Sequence, residues 1–171
     1  MIPIYIYYCN KEHVKSDVMA TECLKHYCRI KDVENKIYIF RDSYGKPYSN
    51  IRGVHLSISH TEGIWVCAVC GLPIGVDIER NDTEINASLM EKIYPVLSGN
   101  LLIKGWTKIE SCSKLIGKGL STDLNDLVDC INSNYFSFLD IALQEEYCCT
   151  VCLRQDNNEI EIRYIQMNGE E

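Results

Sequence analysis

The chain has 171 residues, 46% hydrophobic and 24% charged, a balance that fits a globular protein with a sizeable core. A formal net charge of −7 excludes a nucleic-acid binder that relies on a broad basic surface, and no run approaches the ~20 apolar residues that span a bilayer. The opening Met1-Ile2-Pro3-Ile4-Tyr5-Ile6-Tyr7-Tyr8 lacks the basic flank and cleavage site of a signal peptide, so the expectation is a cytoplasmic protein without membrane or nucleic-acid partners.

Ile2 to Tyr8 is β-branched and aromatic and reads as a strand. A helix is expected from His13 to Ile30, with Ala20, Cys23, Leu24, Tyr27 and Cys28 on one apolar face. Lys36 to Arg41 reads as a strand and Ser43-Tyr44-Gly45-Lys46-Pro47 as a turn. Three strands follow at His55–Ser59, Ile64–Cys70 and Ile74–Glu79. Their links, Thr61-Glu62-Gly63 and Gly71-Leu72-Pro73, are short, so all three are expected as antiparallel neighbours. Asn86 to Tyr94 reads as a short helix limited by Pro95. A longer helix is expected from Leu101 to Ile116, with Leu102, Trp106, Ile109, Ser113 and Ile116 as its core-facing stripe. Gly117-Lys118-Gly119 then stops it. A small helix at Leu124–Ile131 and strands at Tyr135–Leu139, Tyr147–Leu153 and Ile160–Ile165 complete the chain. Helix then strands, twice over, is an α+β pattern with two similar halves, which suggests a monomer.

Ten cysteines include the pairs Cys67-x-x-Cys70 and Cys149-x-x-Cys152. Such spacing invites a zinc or thiol-redox reading. Both pairs lie inside apolar runs that read as buried strands, where residues three apart point to opposite faces, so a core role is expected instead.

Three segments carry candidate chemistry. In Gly75-Val76-Asp77-Ile78-Glu79, Ile74, Val76 and Ile78 face the core while Asp77 and Glu79 share the other face about 7 Å apart. Two hard carboxylates there suit Mg²⁺, although a solvated strand face carries such pairs too. In Trp106-Thr107-Lys108-Ile109-Glu110-Ser111-Cys112-Ser113-Lys114, Glu110 and Lys114 share a helix face, as a site pair or as an ordinary i, i+4 ion pair. The strand His55-Leu56-Ser57-Ile58-Ser59-His60-Thr61 ends in a histidine able to donate to a phosphate, or one with only a structural role.

With Gly45-Lys46-Pro47, these segments resemble in order and spacing the 4′-phosphopantetheinyl transferase superfamily, in particular its surfactin-synthetase-type members. That family carries a Gly-Lys-Pro loop, a strand ending Leu-Ser-His-Ser or similar, a Gly-(Ile/Val)-Asp-(Ile/Val)-Glu strand, and a Trp-(Ser/Thr)-x-Lys-Glu-(Ser/Ala)-x-x-Lys-x-x-Gly-x-Gly helix. The match runs from about Ser16 to Leu120 and is weaker beyond, as in a shortened member. The resemblance implies a pseudo-twofold α+β fold, each lobe a helix on an antiparallel sheet, with lobes at 1–80 and 81–171 and a site between them. It implies transfer of 4′-phosphopantetheine from coenzyme A to a serine of an acyl or peptidyl carrier protein, releasing 3′,5′-ADP. Asp77, Glu79 and Glu110 would hold Mg²⁺; Lys46, Ser59, His60 and Lys114 would contact coenzyme A. Glu110, Lys114 and Asp77 would be the catalytic set, with Glu110 taking the serine proton.

Three positions depart from the family pattern. Ile109 stands where relatives have a lysine, and Lys108, turned by about 100°, cannot simply replace it. A basic segment between the first strand and first helix is missing, leaving Lys25, Arg29 or Lys31 as candidates to take over. Asn81 to Lys104 is short for a region that helps dock the carrier. The alternative is a degenerate homologue that binds coenzyme A or a carrier protein without catalysis.

Overall fold

The β-branched and aromatic opening forms β1 (Ile2–Cys9), and the apolar stripe after it forms α1 (Ser16–Ile30). The structure, a computed structural model, describes residues 1–10, 14–33, 36–85, 102–117, 124–155 and 158–168. Next come β2 (Ile39–Arg41), β3 (Pro47–Ser49), β4 (His55–Thr61), β5 (Ile64–Cys70) and β6 (Ile74–Arg80). The last part holds α2 (Leu102–Ile116), α3 (Leu124–Asn132), β7 (Phe136–Asp140), β8 (Tyr147–Arg154) and β9 (Ile160–Gln166). The chain is thus α+β. No helix among the described residues is long and apolar enough to cross a membrane.

One sheet has the order β4-β5-β1-β9, a second β6-β8-β7, and β2 with β3 forms a separate ribbon. In the first sheet β1 pairs antiparallel with β5, which pairs antiparallel with β4. In the second, β6 pairs antiparallel with β8, which pairs antiparallel with β7. Each sheet is therefore built by the same path: a strand, a helical segment, then a two-strand unit whose last strand returns to the first. β9 departs from it by pairing parallel to β1.

Period-two alternation explains the layering. Tyr5, Tyr7, Cys67 and Val69 turn one way to meet Ala20, Cys23, Leu24 and Tyr27 of α1. Ile4, Ile6, Val66 and Ala68 turn the other way and pack on Val76, Ile78, Cys149 and Val151. A third core joins Ile109, Cys112 and Leu115 of α2 to Leu127 and Cys152. The two sheets thus face each other, with α1 outside the first and α2 outside the second. The pairs Cys67/Cys70 and Cys149/Cys152 are each split between different cores, as opposite-facing strand residues must be.

Three expectations need correction. β6 is not a neighbour of β5, because β4 and β1 already occupy both edges of β5, so the chain leaves at Gly71-Leu72-Pro73 for the second sheet. β3 was not foreseen; Gly45 at φ +83 turns the chain, and the Asp42 carboxylate accepts the Tyr44 and Lys46 N–H groups, closing the β2–β3 ribbon. The expected α2 stripe is only part of its buried face. Ile109 and Ser113 of that stripe are buried, Thr107 and Ser111 outside it are buried as fully, and Leu102, Trp106 and Ile116 are half-buried. The helix expected at 86–94 lies outside the described residues, as do Lys118, Gly119 and Leu120.

Candidate active site

Gly75 sets the distance between α2 and β6. A Cβ on Gly75 would lie 1.9 Å from the Ser111 carbonyl oxygen and 2.7 Å from the Leu115 nitrogen. Without it, the small-residue face of α2 settles directly on β6 and β8. There the Thr107 and Thr150 hydroxyls hydrogen-bond at 2.8 Å. Asp77 lies opposite Thr150 in the β6–β8 ladder, on the face that meets α2.

The other edge of β6 runs along β4, and two serines bridge the gap. Ser57 Oγ accepts from the Val76 N–H at 3.0 Å, and Ser59 Oγ from the Ile78 N–H at 3.3 Å. Ser59 also donates to Asp77 Oδ1 at 2.9 Å. Lys114 donates to both, at 2.7 Å to Ser59 Oγ and 2.7 Å to Asp77 Oδ1. Lys114 thus reaches across to Asp77 instead of forming the simple i, i+4 pair with Glu110. The second Asp77 oxygen, Oδ2, is buried and has no hydrogen-bond partner among the described residues.

Glu79 and Glu110 complete an acidic group around this pair. Burial first, and then the Asp77 charge, push the Glu79 carboxyl above its ordinary range, against the pull of Thr61 and Lys114. Glu110 is pushed up to about 7, by burial first and then by the Asp77 and Glu79 charges, with Lys114 opposing. The Asp77 charge therefore reaches both glutamates.

Lys46, His60, Glu110 and Lys114 line one cavity of about 360 Å³, together with Arg41 and Tyr44. Lys46 stands at the entry to β3, His60 near the end of β4, and the other two on α2, so three separate segments converge. Lys46 Nζ donates to the Leu115 carbonyl at 2.6 Å, placing a cation at the C-terminal end of α2. Burial holds its ammonium below the ordinary lysine range. His60 is exposed at the rim. Ser59 stands apart from this lining, its hydroxyl engaged by Asp77, Lys114 and the Ile78 N–H.

Sequence reasoning missed Arg41, Tyr44, Ser16 and Ser113, which also line the cavity. Tyr44 stands next to the Gly-Lys-Pro loop and Arg41 just before it, so the motif's flanks held the signal. Ser16 and Ser113 carried none. Lys25, Arg29 and Lys31 are not in the lining; Lys25 pairs with Glu22 on the outer face of α1 instead. Ile109 is 1% exposed in the α2–α3 core, where a lysine would carry charge into apolar surroundings. Lys108 lies over the Phe138 ring at 5.9 Å.

The fit of a divalent cation rests on Asp77 Oδ2. A buried carboxylate oxygen without a partner among the described residues, beside two carboxylates raised by burial and then by the Asp77 charge, is the electrostatic setting that a hard cation relieves. Among the described residues, no three His, Cys, Asp or Glu side chains form a metal site by themselves. Mg²⁺ does not require one, since it commonly takes one or two carboxylates and completes its octahedron with water and substrate phosphates. The donor set fits Mg²⁺ on those terms.

No family model matches the chain. It is similar to a 4′-phosphopantetheinyl transferase, gsp, of Aneurinibacillus migulanus, with 27% identity over 135 residues, 71% of this chain and 56% of that protein. It is also similar to a 4′-phosphopantetheinyl transferase of Bacillus subtilis, with 36% identity over 97 residues, 48% of this chain and 42% of that protein. The chain spans about half the length of these curated relatives. The resemblance drawn from the four motifs is thus matched by proteins that bear the name.

Proposed function

We propose that this chain transfers the 4′-phosphopantetheine arm of coenzyme A to a serine of an apo acyl or peptidyl carrier protein, releasing 3′,5′-ADP, with Mg²⁺ as cofactor. The observation that carries the reading is the convergence of Lys46, His60, Glu110 and Lys114 on one cavity beside a buried, half-partnered Asp77. A protein that only bound coenzyme A would have little use for the acidic group in addition to the cations.

The chemistry follows from the residue types. The carrier serine attacks the phosphorus that bears pantetheine, and the bond from that phosphorus to the 3′,5′-ADP oxygen breaks. Such a displacement depends on positioning and on charge stabilisation. Lys46 and His60 hold the phosphates of coenzyme A, and Lys114 presents its ammonium to the pyrophosphate, steadied by Asp77 and Ser59. Glu110, raised to about 7, takes the serine proton directly or through one water; a base poised near the working pH is the efficient choice. Asp77, Glu79 and Glu110 would hold Mg²⁺, which supplies Lewis-acid neutralisation of the pyrophosphate.

The repeated strand–helix–strand-pair path supports reading the two sheets as pseudo-twofold partners with the site between them. Lobes of 1–80 and 81–171 then interlock at β6, which belongs to the first by position and pairs with β8 of the second. Two such units in one chain suit a monomer acting in the cytoplasm.

The test is incubation with coenzyme A, Mg²⁺ and a panel of apo carrier proteins, read by mass spectrometry as the gain of roughly 340 Da that the arm brings. Asp77→Ala and Glu110→Ala are expected to abolish the gain while circular dichroism shows an intact fold. Near-normal turnover in either variant would remove these acids from the reaction. Coenzyme A binding without transfer to any carrier would favour the non-catalytic homologue.

A further inference from the structure

Ser113 lies on α2 next to Lys114, one turn after Glu110, and all three line the cavity. Its side chain is 1% exposed, and its hydroxyl has no hydrogen-bond partner among the described residues. A serine inside a helix ordinarily satisfies its hydroxyl on a carbonyl one turn back. On this same helix Thr107 donates to the Lys104 carbonyl at 3.1 Å, and Ser111 to the Lys108 carbonyl at 3.0 Å. The other serines of the lining are engaged as well: Ser16 Oγ accepts from Trp65 Nε1 at 2.9 Å, and Ser57 Oγ from the Val76 N–H at 3.0 Å. Ser113 shares its stripe with Ile109 and Ile116, where packing alone would be served by an apolar side chain. A buried hydroxyl left in this state costs stability that an alanine would not, unless a bound molecule takes the hydrogen bond.

We propose that the Ser113 hydroxyl donates a hydrogen bond to a phosphate oxygen of the substrate and so fixes the substrate against α2. The identity of that substrate rests on the reading of the cavity as a coenzyme A site. An oxyanion is the chemistry that suits the lining, where Arg41, Lys46 and Lys114, with His60 beside them, outnumber Glu110. A hydroxyl adds what those cations lack. Its single proton is aimed at one oxygen, whereas a lysine ammonium acts as a point charge with three rotatable donors. The pyrophosphate and the 3′-phosphate of coenzyme A both carry such an oxygen. Ser113 is therefore a binding residue for the substrate, placed between the acid and the cation that α2 already contributes.

The full chain and its Ser113→Ala variant are compared by isothermal titration calorimetry with coenzyme A and with 3′-dephospho-coenzyme A, Mg²⁺ present throughout, and by thermal unfolding without ligand. Ser113→Ala is expected to raise Kd for coenzyme A by about tenfold, the loss of one hydrogen bond to a charged group. Its Tm without ligand should stay the same or rise, because the variant buries a methyl group in place of an unpaired hydroxyl. A similar loss with both ligands assigns the bond to the pyrophosphate, and a loss with coenzyme A alone assigns it to the 3′-phosphate. Equal Kd values for the two proteins, or a lowered Tm in the ligand-free variant, would make Ser113 a structural residue; either result overturns the proposal and leaves the proposed activity standing. No coenzyme A binding by the unsubstituted chain would overturn both together.

Discussion

Asp77 and Lys114 are the residues on which the geometry of the site turns. Their side chains are 4% and 29% exposed and 2.7 Å apart. Breaking a buried pair leaves an uncompensated charge, so Lys114→Met is expected to cost about 3–5 kcal/mol in urea unfolding. Adding Asp77→Asn to Lys114→Met should recover much of that loss; a single-variant cost below about 1 kcal/mol would mean that the pair is not structural. Glu110 gives a pH signature. Its carboxyl is raised from 4.5 to about 7, so the folded chain holds a proton that the unfolded chain has released between those values. The resulting stability is complete below pH 4.5 and is lost as pH rises through about 7. The drop should be on the order of 3 kcal/mol in metal-free protein, and Glu110→Gln should flatten that slope when unfolding is compared at pH 5 and pH 7. An unchanged slope would place the titration elsewhere.

At the scale of elements, the close seating of α2 on β6 decides whether these residues meet. Gly75→Ala puts a methyl group into the backbone of α2 at Ser111, an obstacle that no rotamer can relieve. The expected cost is about 3 kcal/mol or more, with loss of transfer even at temperatures where the variant stays folded. Gly45→Ala is the control: nothing lies within 4 Å of its added Cβ, so only the backbone strain of φ +83 counts, about 1–2 kcal/mol. Similar losses in the two variants, measured by urea unfolding, would show that crowding at α2 is not the issue. The seam between β4 and β6 works through side chains in place of a strand ladder, with Ser57 and Ser59 receiving the N–H groups that a neighbouring strand would take.

For the whole molecule, the cavity draws its walls from the β2–β3 ribbon, β4 and α2, so a ligand in it ties together parts that fold on different sheets. Coenzyme A with Mg²⁺ is expected to raise Tm by more than either alone. Saturation at about 100 times Kd would add about 2.7 kcal/mol. No added shift from the combination, in thermal unfolding at fixed pH, would argue against a shared metal–pyrophosphate site.

The strands β1, β5 and β8 were legible in the sequence because apolar runs of β-branched and aromatic residues need no partner to declare themselves, and α1 because its stripe repeats at helical spacing. Of the candidate acids and cations that the motifs named, Lys46, His60, Glu110 and Lys114 share the lining of one cavity. Three things belonged to the tertiary structure alone: that β6 leaves β5 for β8, that the buried face of α2 takes in Thr107 and Ser111, and that Lys114 reaches Asp77. A filled sheet edge, a helix seated against a glycine and an ion pair 37 residues apart are facts of packing between distant segments, and local composition and periodicity carry no information about them.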